Sequence, residues 1–121
     1  MNETENVAMF AATLLHSATN THFFHWSTDS YSKHKALGNF YDEIVELVDD
    51  YVEAYMGCYE QITKFPSVYH LPKEPVGYVE SLKTFVDDAR KDLPQETQLQ
   101  NIIDEIAQLI DSTLYKLKNL K

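Results

Sequence analysis

Apolar residues recur along the chain mostly at spacings of three and four, and this pattern predicts four helices, over 4–26, 34–64, 76–91 and 94–119. In the first, Ala8, Ala11, Leu15, Ala18, His22 and His25 share one stripe, with Phe10, Leu14 and Thr21 on a neighbouring one. The polar run from Ser27 to Lys33 has the residues of turns and helix caps and closes that helix. The second carries Phe40, Ile44, Leu47, Val48, Tyr51 and Tyr55 on one face and Asp42, Glu46, Asp49 and Glu53 on another, until Pro66 ends it. Three prolines between Phe65 and Pro75 mark a longer connection. Val79, Leu82, Phe85 and Val86 define the third helix. Asp92-Leu93-Pro94-Gln95 reads as a capping box that opens the fourth, whose stripe from Leu99 to Leu117 is the most regular.

Two short connections and one longer one between four amphipathic helices predict an all-α fold, a four-helix bundle with ferritin-like connectivity in which the B–C link crosses over. The length of 121 residues makes it a single domain, and three Gly and four Pro leave little room for the turns of a many-stranded protein.

Charge narrows the partners. The formal net charge of −9 argues against nonspecific attraction to nucleic acid or anionic lipid and favours small cations. No apolar run approaches the roughly 18 residues needed to span a bilayer, and the start of the chain has no basic leader, so a cytoplasmic protein with no membrane partner is expected. Cys58 has no cysteine to pair with and reads as a small buried apolar group. No nucleophile elbow or phosphate loop is present.

The candidate chemistry lies in His22, His25 and His34 and in the carboxylates Asp49 and Glu53. Two histidines one turn apart can serve one ion, and carboxylates at i and i+4 can converge on one cation. Read without other information, the first pair is a hydrogen-bonded interface pair and the second a solvated acidic face. Thr21-His22-Phe23-Phe24-His25-Trp26 resembles the Thr-His-x-x-His-Trp signature of Dps, the ferritin-like DNA-binding protein from starved cells. The spacing from His34 to Asp49 and Glu53 is similar to that family's second-helix pattern. Gly38 stands where the family often has a further carboxylate.

The resemblance implies that His25, His34, Asp49 and Glu53 bind iron at a site shared by two subunits, with His22 and Trp26 as neighbours in support. It further implies that Fe2+ is oxidised there to Fe3+ by peroxide or dioxygen, a ferroxidase activity. Zinc or manganese would also suit the ligands. Geometry points to sharing as well. His34 and Asp49 are about 22 Å apart along one helix, and folding the first two helices into a hairpin sets His25 opposite His34 but leaves the carboxylates at the far end. A two-fold homodimer, or a larger homo-oligomer, would join the halves. The DNA binding of the family does not carry over, because the tail lacks its lysine-rich character. The competing expectation is a non-catalytic helical interaction or scaffold protein whose acidic face docks a protein partner.

Overall fold

The computed structural model describes residues 2–67 and 69–121, so Met1 and Val68, the latter inside the expected crossover, lie outside the described residues. All regular structure among these is helical: α1 (Glu3–Ser27), α2 (Tyr31–Cys58), α3 (Pro75–Ala89), a 3₁₀ turn (Arg90–Asp92) and α4 (Thr97–Asn119). No helix among the described residues is long and apolar enough to cross a membrane.

Local chemistry sets the ends. Asn2 caps α1, accepting from the Glu5 amide at 2.8 Å while the Glu5 carboxylate accepts from the Asn2 amide at 3.2 Å. Such a box contributes about 1 kcal/mol. Ser30 caps α2 through the Lys33 amide, which starts the helix three residues before the expected 34. It stops at Cys58 rather than 64, because Tyr59 leaves helical geometry at φ −126°, ψ −97° and frees Ile62 to bury against the bundle. Glu74 caps α3, with Pro75 in its first turn, where a missing N–H costs nothing. The expected box at Asp92–Gln95 does not form. The Gln95 amide instead donates to the carbonyls of Arg90 and Leu93, and α4 begins at Thr97 rather than 94.

Cross-links between helices give their directions. Thr4 meets Tyr55 at 3.0 Å and His25 meets His34, so α2 runs back along α1. Tyr78 lies on Asn20 and Phe85 stacks on Phe10 at 6.0 Å, so α3 also runs against α1 and is therefore parallel to α2. Lys83 pairs with Asp111, Lys118 with Glu80 and Arg90 with Asp104, setting α4 antiparallel to α3. The helices form a closed ring in the order α1, α2, α4, α3. Residues 59–74 must then travel the length of the bundle.

The core is drawn from all four helices, with Phe10, Leu14, Phe40, Ile44, Val79, Ile103, Ile106 and Ile110 almost wholly buried. Burial of each such side chain contributes roughly 1.5–3 kcal/mol. Two expectations fail. Leu15 is 42% exposed, because the aromatic contacts of Phe10 and Phe24 with α3 turn α1 so that Val7, Phe10, Leu14, Ser17, Thr21 and Phe24 face inward. Cys58 is exposed at the end of α2, its sulfur accepting from Gln98.

The crossover is fastened to α1 by a buried amide. Asn20, 2% exposed, accepts from the Tyr69 hydroxyl at 2.8 Å and donates to the Tyr78 hydroxyl at 3.0 Å. Tyr51 is its opposite: fully buried, with no partner for its hydroxyl among the described residues, and burial pushes its pKa up. Asn20→Ala is expected to lose about 1–3 kcal/mol in urea unfolding, because it strands the half-buried Tyr78 hydroxyl and unties Tyr69 from α1. Tyr51→Phe is expected to leave stability unchanged or raise it by up to about 1 kcal/mol. A larger loss for Tyr51→Phe than for Asn20→Ala would contradict both assignments.

Candidate functional site

The link between α1 and α2 is only Thr28, Asp29 and Ser30. Thr28 takes extended backbone at φ −78°, ψ 146°, and Ser30 is extended too, so the last turn of α1 faces the first turn of α2. His25 and His34 meet across this tight hairpin, their rings stacked at 3.6 Å and 19°.

Each ring hydrogen-bonds the other residue's backbone. His25 Nδ1 lies 2.6 Å from the His34 carbonyl oxygen, and His34 Nδ1 lies 2.8 Å from that of His25. A carbonyl only accepts, so both Nδ1 atoms carry the proton and donate. In the neutral rings this leaves a lone pair on each Nε2, the tautomer that a metal-binding histidine needs when its other nitrogen is bonded to a carbonyl. The same bonds serve the fold: His34 satisfies a carbonyl in the last turn of α1, where intrahelical partners run out.

Gly38 makes room for this pair. A Cβ placed there would sit 3.1 Å from Cε1 and 3.2 Å from Nδ1 of His25. The ring therefore lies against α2 backbone, in a notch where a side chain would press on it and move it by a few tenths of an ångström. Beyond it, His22 stacks on Tyr41 at 4.1 Å and 13°, and Trp26 packs at 4.5 Å on the outer side of His22 while remaining 66% exposed. Tyr41 also meets His25 edge-on at 5.4 Å. His22 and Trp26 thus belong to one aromatic cluster with the histidine pair.

Asp49 and Glu53 are elsewhere. Both are exposed on α2, about 22 and 28 Å along the helix from His34. Neither takes part in the ion pairs among the described residues. Their level on α1 is given by Tyr51 against Phe10 and Tyr55 against Thr4. Within one chain no group of three or more His, Cys, Asp or Glu among the described residues is placed to hold a metal ion. His16 is half-buried edge-on to Tyr69 at 5.2 Å, and His70 is exposed.

Sequence reasoning marked Gly38 only as the place of a missing carboxylate, not as room for His25, and missed Tyr41. A glycine inside a helix, four residues after a histidine, is the signal that could have found the first. Tyr41 carries no such mark, since a tyrosine at helical spacing reads as core.

These features define an all-α bundle with a paired-histidine hairpin at one end and an acidic outer helix face. The chain belongs to a family of unknown function, DUF5856, whose sequence pattern matches residues 25–117 and so includes His25, His34, Asp49 and Glu53. It is similar to an uncharacterized 14.6 kDa protein from the mobD-ri intergenic region of Enterobacteria phage T4, 28% identical over 99 residues, which are 79% of this chain and 75% of that protein. No solved structure matches the chain.

Gly38→Ala gives a direct check. Alanine gains up to about 1 kcal/mol in helix propensity, so thermal stability should hold or rise even as His25 is forced from its notch. In nitrogen-15 spectra of the imidazoles, both His25 and His34 are expected as Nδ1–H tautomers in the native protein, and His25 should lose that signature in the variant. Identical spectra would show that the notch does not set the ring.

Proposed function

We propose that this protein is a Dps-like, ferritin-like bundle that binds Fe(II) at a site shared between two subunits and oxidises it. The observation that carries the reading is the reciprocal hydrogen bonding of His25 and His34, which leaves both Nε2 lone pairs available. The ring of helices with a single long crossover supports a ferritin-like reading of the fold.

The ligands of one chain fit half a site at each end. An antiparallel, two-fold pairing through the outward side of α1 and α2 would bring His25 and His34 of one subunit to Asp49 and Glu53 of the other, twice per dimer. Leu15 at 42% and Val45 at 37% exposure lie on that side between the two ligand groups and give it apolar surface to bury. Imidazole and carboxylate together suit iron, and zinc or manganese compete for the same donors. Iron is the substrate: each peroxide takes one electron from each of two Fe(II) ions and two protons, leaving two ferric ions and two waters.

One observation favours a second reading, a helical interaction protein without metal chemistry. A groove of about 470 Å³ between α2 and α4 is walled by Glu43, Glu46, Asp50 and Glu105 over Leu47 and Leu109, and none of these carboxylates enters an ion pair among the described residues. A basic protein segment would fit there.

The two readings separate by complementation. In anaerobic Fe(II) titration followed by peroxide, His25→Ala/His34→Ala and Asp49→Ala/Glu53→Ala should each lose saturable binding and fast oxidation. Unfolded and refolded together, the two variants should recover about a quarter of native activity. Half the dimers would then be mixed, and each of these would hold one intact site of its two. No recovery would sink the shared site. Native iron binding in both variants would sink the iron reading and leave the groove, where reversal of Glu43 and Glu46 should abolish partner binding.

A further inference from the structure

The topology brings one end of α1, α2, α3 and α4 together: the last turn of α1, the first turns of α2 and α3, and the last turn of α4. This end is unlike the rest of the surface. Phe23, Trp26, Tyr31, Leu71, Tyr115 and Leu120 are each between 41% and 74% exposed there. Six of the chain's ten Lys and Arg residues accompany them: Lys33, Lys35, Lys73, Lys116, Lys118 and Lys121. The carboxylates nearby are three: Asp29, Glu74, which caps the Gly77 amide, and Glu80, which pairs with Lys118, so lysines outnumber them two to one. The opposite end collects Glu3, Glu5, Glu60, Asp92 and Glu96. The net charge of −9 is thus an average over a basic, aromatic end and an acidic one.

We infer that the basic aromatic end docks on an anionic lipid surface. Amphipathic aromatic rings and lysines that reach past apolar neighbours are the residues that settle at a headgroup boundary. Two further features favour lipid over a nucleic-acid strand. The cations at this end are all lysine, with none of the arginine forks that read phosphate and base edges, and Leu71 and Leu120 offer apolar insertion that base stacking does not use. Two grooves among the described residues lie away from this end, one between the start of α1 and residues 60–66, the other midway along α2 and α4. The inference does not require bound iron, and because Trp26, Lys33 and Lys35 adjoin the His25–His34 pair it is tested on metal-free protein.

Trp26 is the chain's single tryptophan and reports on this end directly. Metal-free full-length protein is mixed with phosphatidylcholine vesicles, with or without phosphatidylglycerol, and followed by tryptophan emission and by co-sedimentation. With phosphatidylglycerol, a blue shift and sedimentation are expected, weakening at high salt. Each lysine at an anionic surface strengthens binding roughly fivefold. Lys33→Glu/Lys35→Glu/Lys121→Glu should therefore weaken partition at least about twentyfold, while Lys64→Glu/Lys91→Glu on other surfaces stays within about twofold of native. Circular dichroism and the unfolding midpoint confirm that both variants fold.

Four results would overturn the inference: no partition to phosphatidylglycerol vesicles; equal partition to neutral vesicles; retention by oligothymidylate in place of vesicles; or lipid-free self-association that the triple variant abolishes, which would assign this end to the acidic end of a second copy.

Discussion

The rest of the structure depends on a length constraint. The sixteen residues from Tyr59 to Glu74 must return from the end of α2 to the start of α3, which lies beside the end of α1. A 25-residue α1 is about 37 Å long, and sixteen residues reach at most about 55 Å, so the crossing takes about two-thirds of the link's full reach. An irregular segment without a ladder needs other partners for its polar groups and some apolar anchor. Buried Ile62 supplies the anchor near one end and the Asn20 amide supplies the partner near the other. With that route fixed, α2 and α3 run parallel, the ring closes in the order α1, α2, α4, α3, and both hairpin turns are left short.

Much of this was legible in the sequence, because periodicity reports what packing needs. The four helices and the long link followed from apolar spacing and three prolines. The errors came where a local preference met a tertiary contact. Residues 60–64 look helical until Ile62 is needed against the bundle core, and Leu15 fits a stripe that Phe10 and Phe24 rotate away from the core. The capping pattern at Asp92–Gln95 was outcompeted by carbonyls that Gln95 reaches more easily. At the site, residue types and spacing marked His25 and His34, but no pattern encodes that each ring would bond the other's backbone. That depends on a three-residue turn and on the missing side chain at Gly38.

The two ends of the bundle divide the labour of a strongly acidic chain. Carboxylates that stand alone in a composition count are partly used up as helix caps and ion-pair partners, as with Glu5, Glu74 and Glu80. Among those left over, Asp42, Glu46, Asp49 and Glu53 lie exposed along one face of α2. Mutual repulsion along such a face makes it receptive to cations, whether an ion or a basic segment delivers them.

The three-residue link between α1 and α2 also has a temporal meaning. Contacts across so short a loop cost little chain entropy, so this hairpin can form within its own sequence before the remainder of the chain has found its place. The α3–α4 hairpin, joined through a 3₁₀ turn, has the same advantage. Folding then resembles the assembly of two prefabricated halves tethered by a strap, and the slow step is the docking of one half on the other. Until it happens, Phe10, Ile44, Val79 and Ile106 face water together, and the interval is the moment at which this protein is most exposed to aggregation.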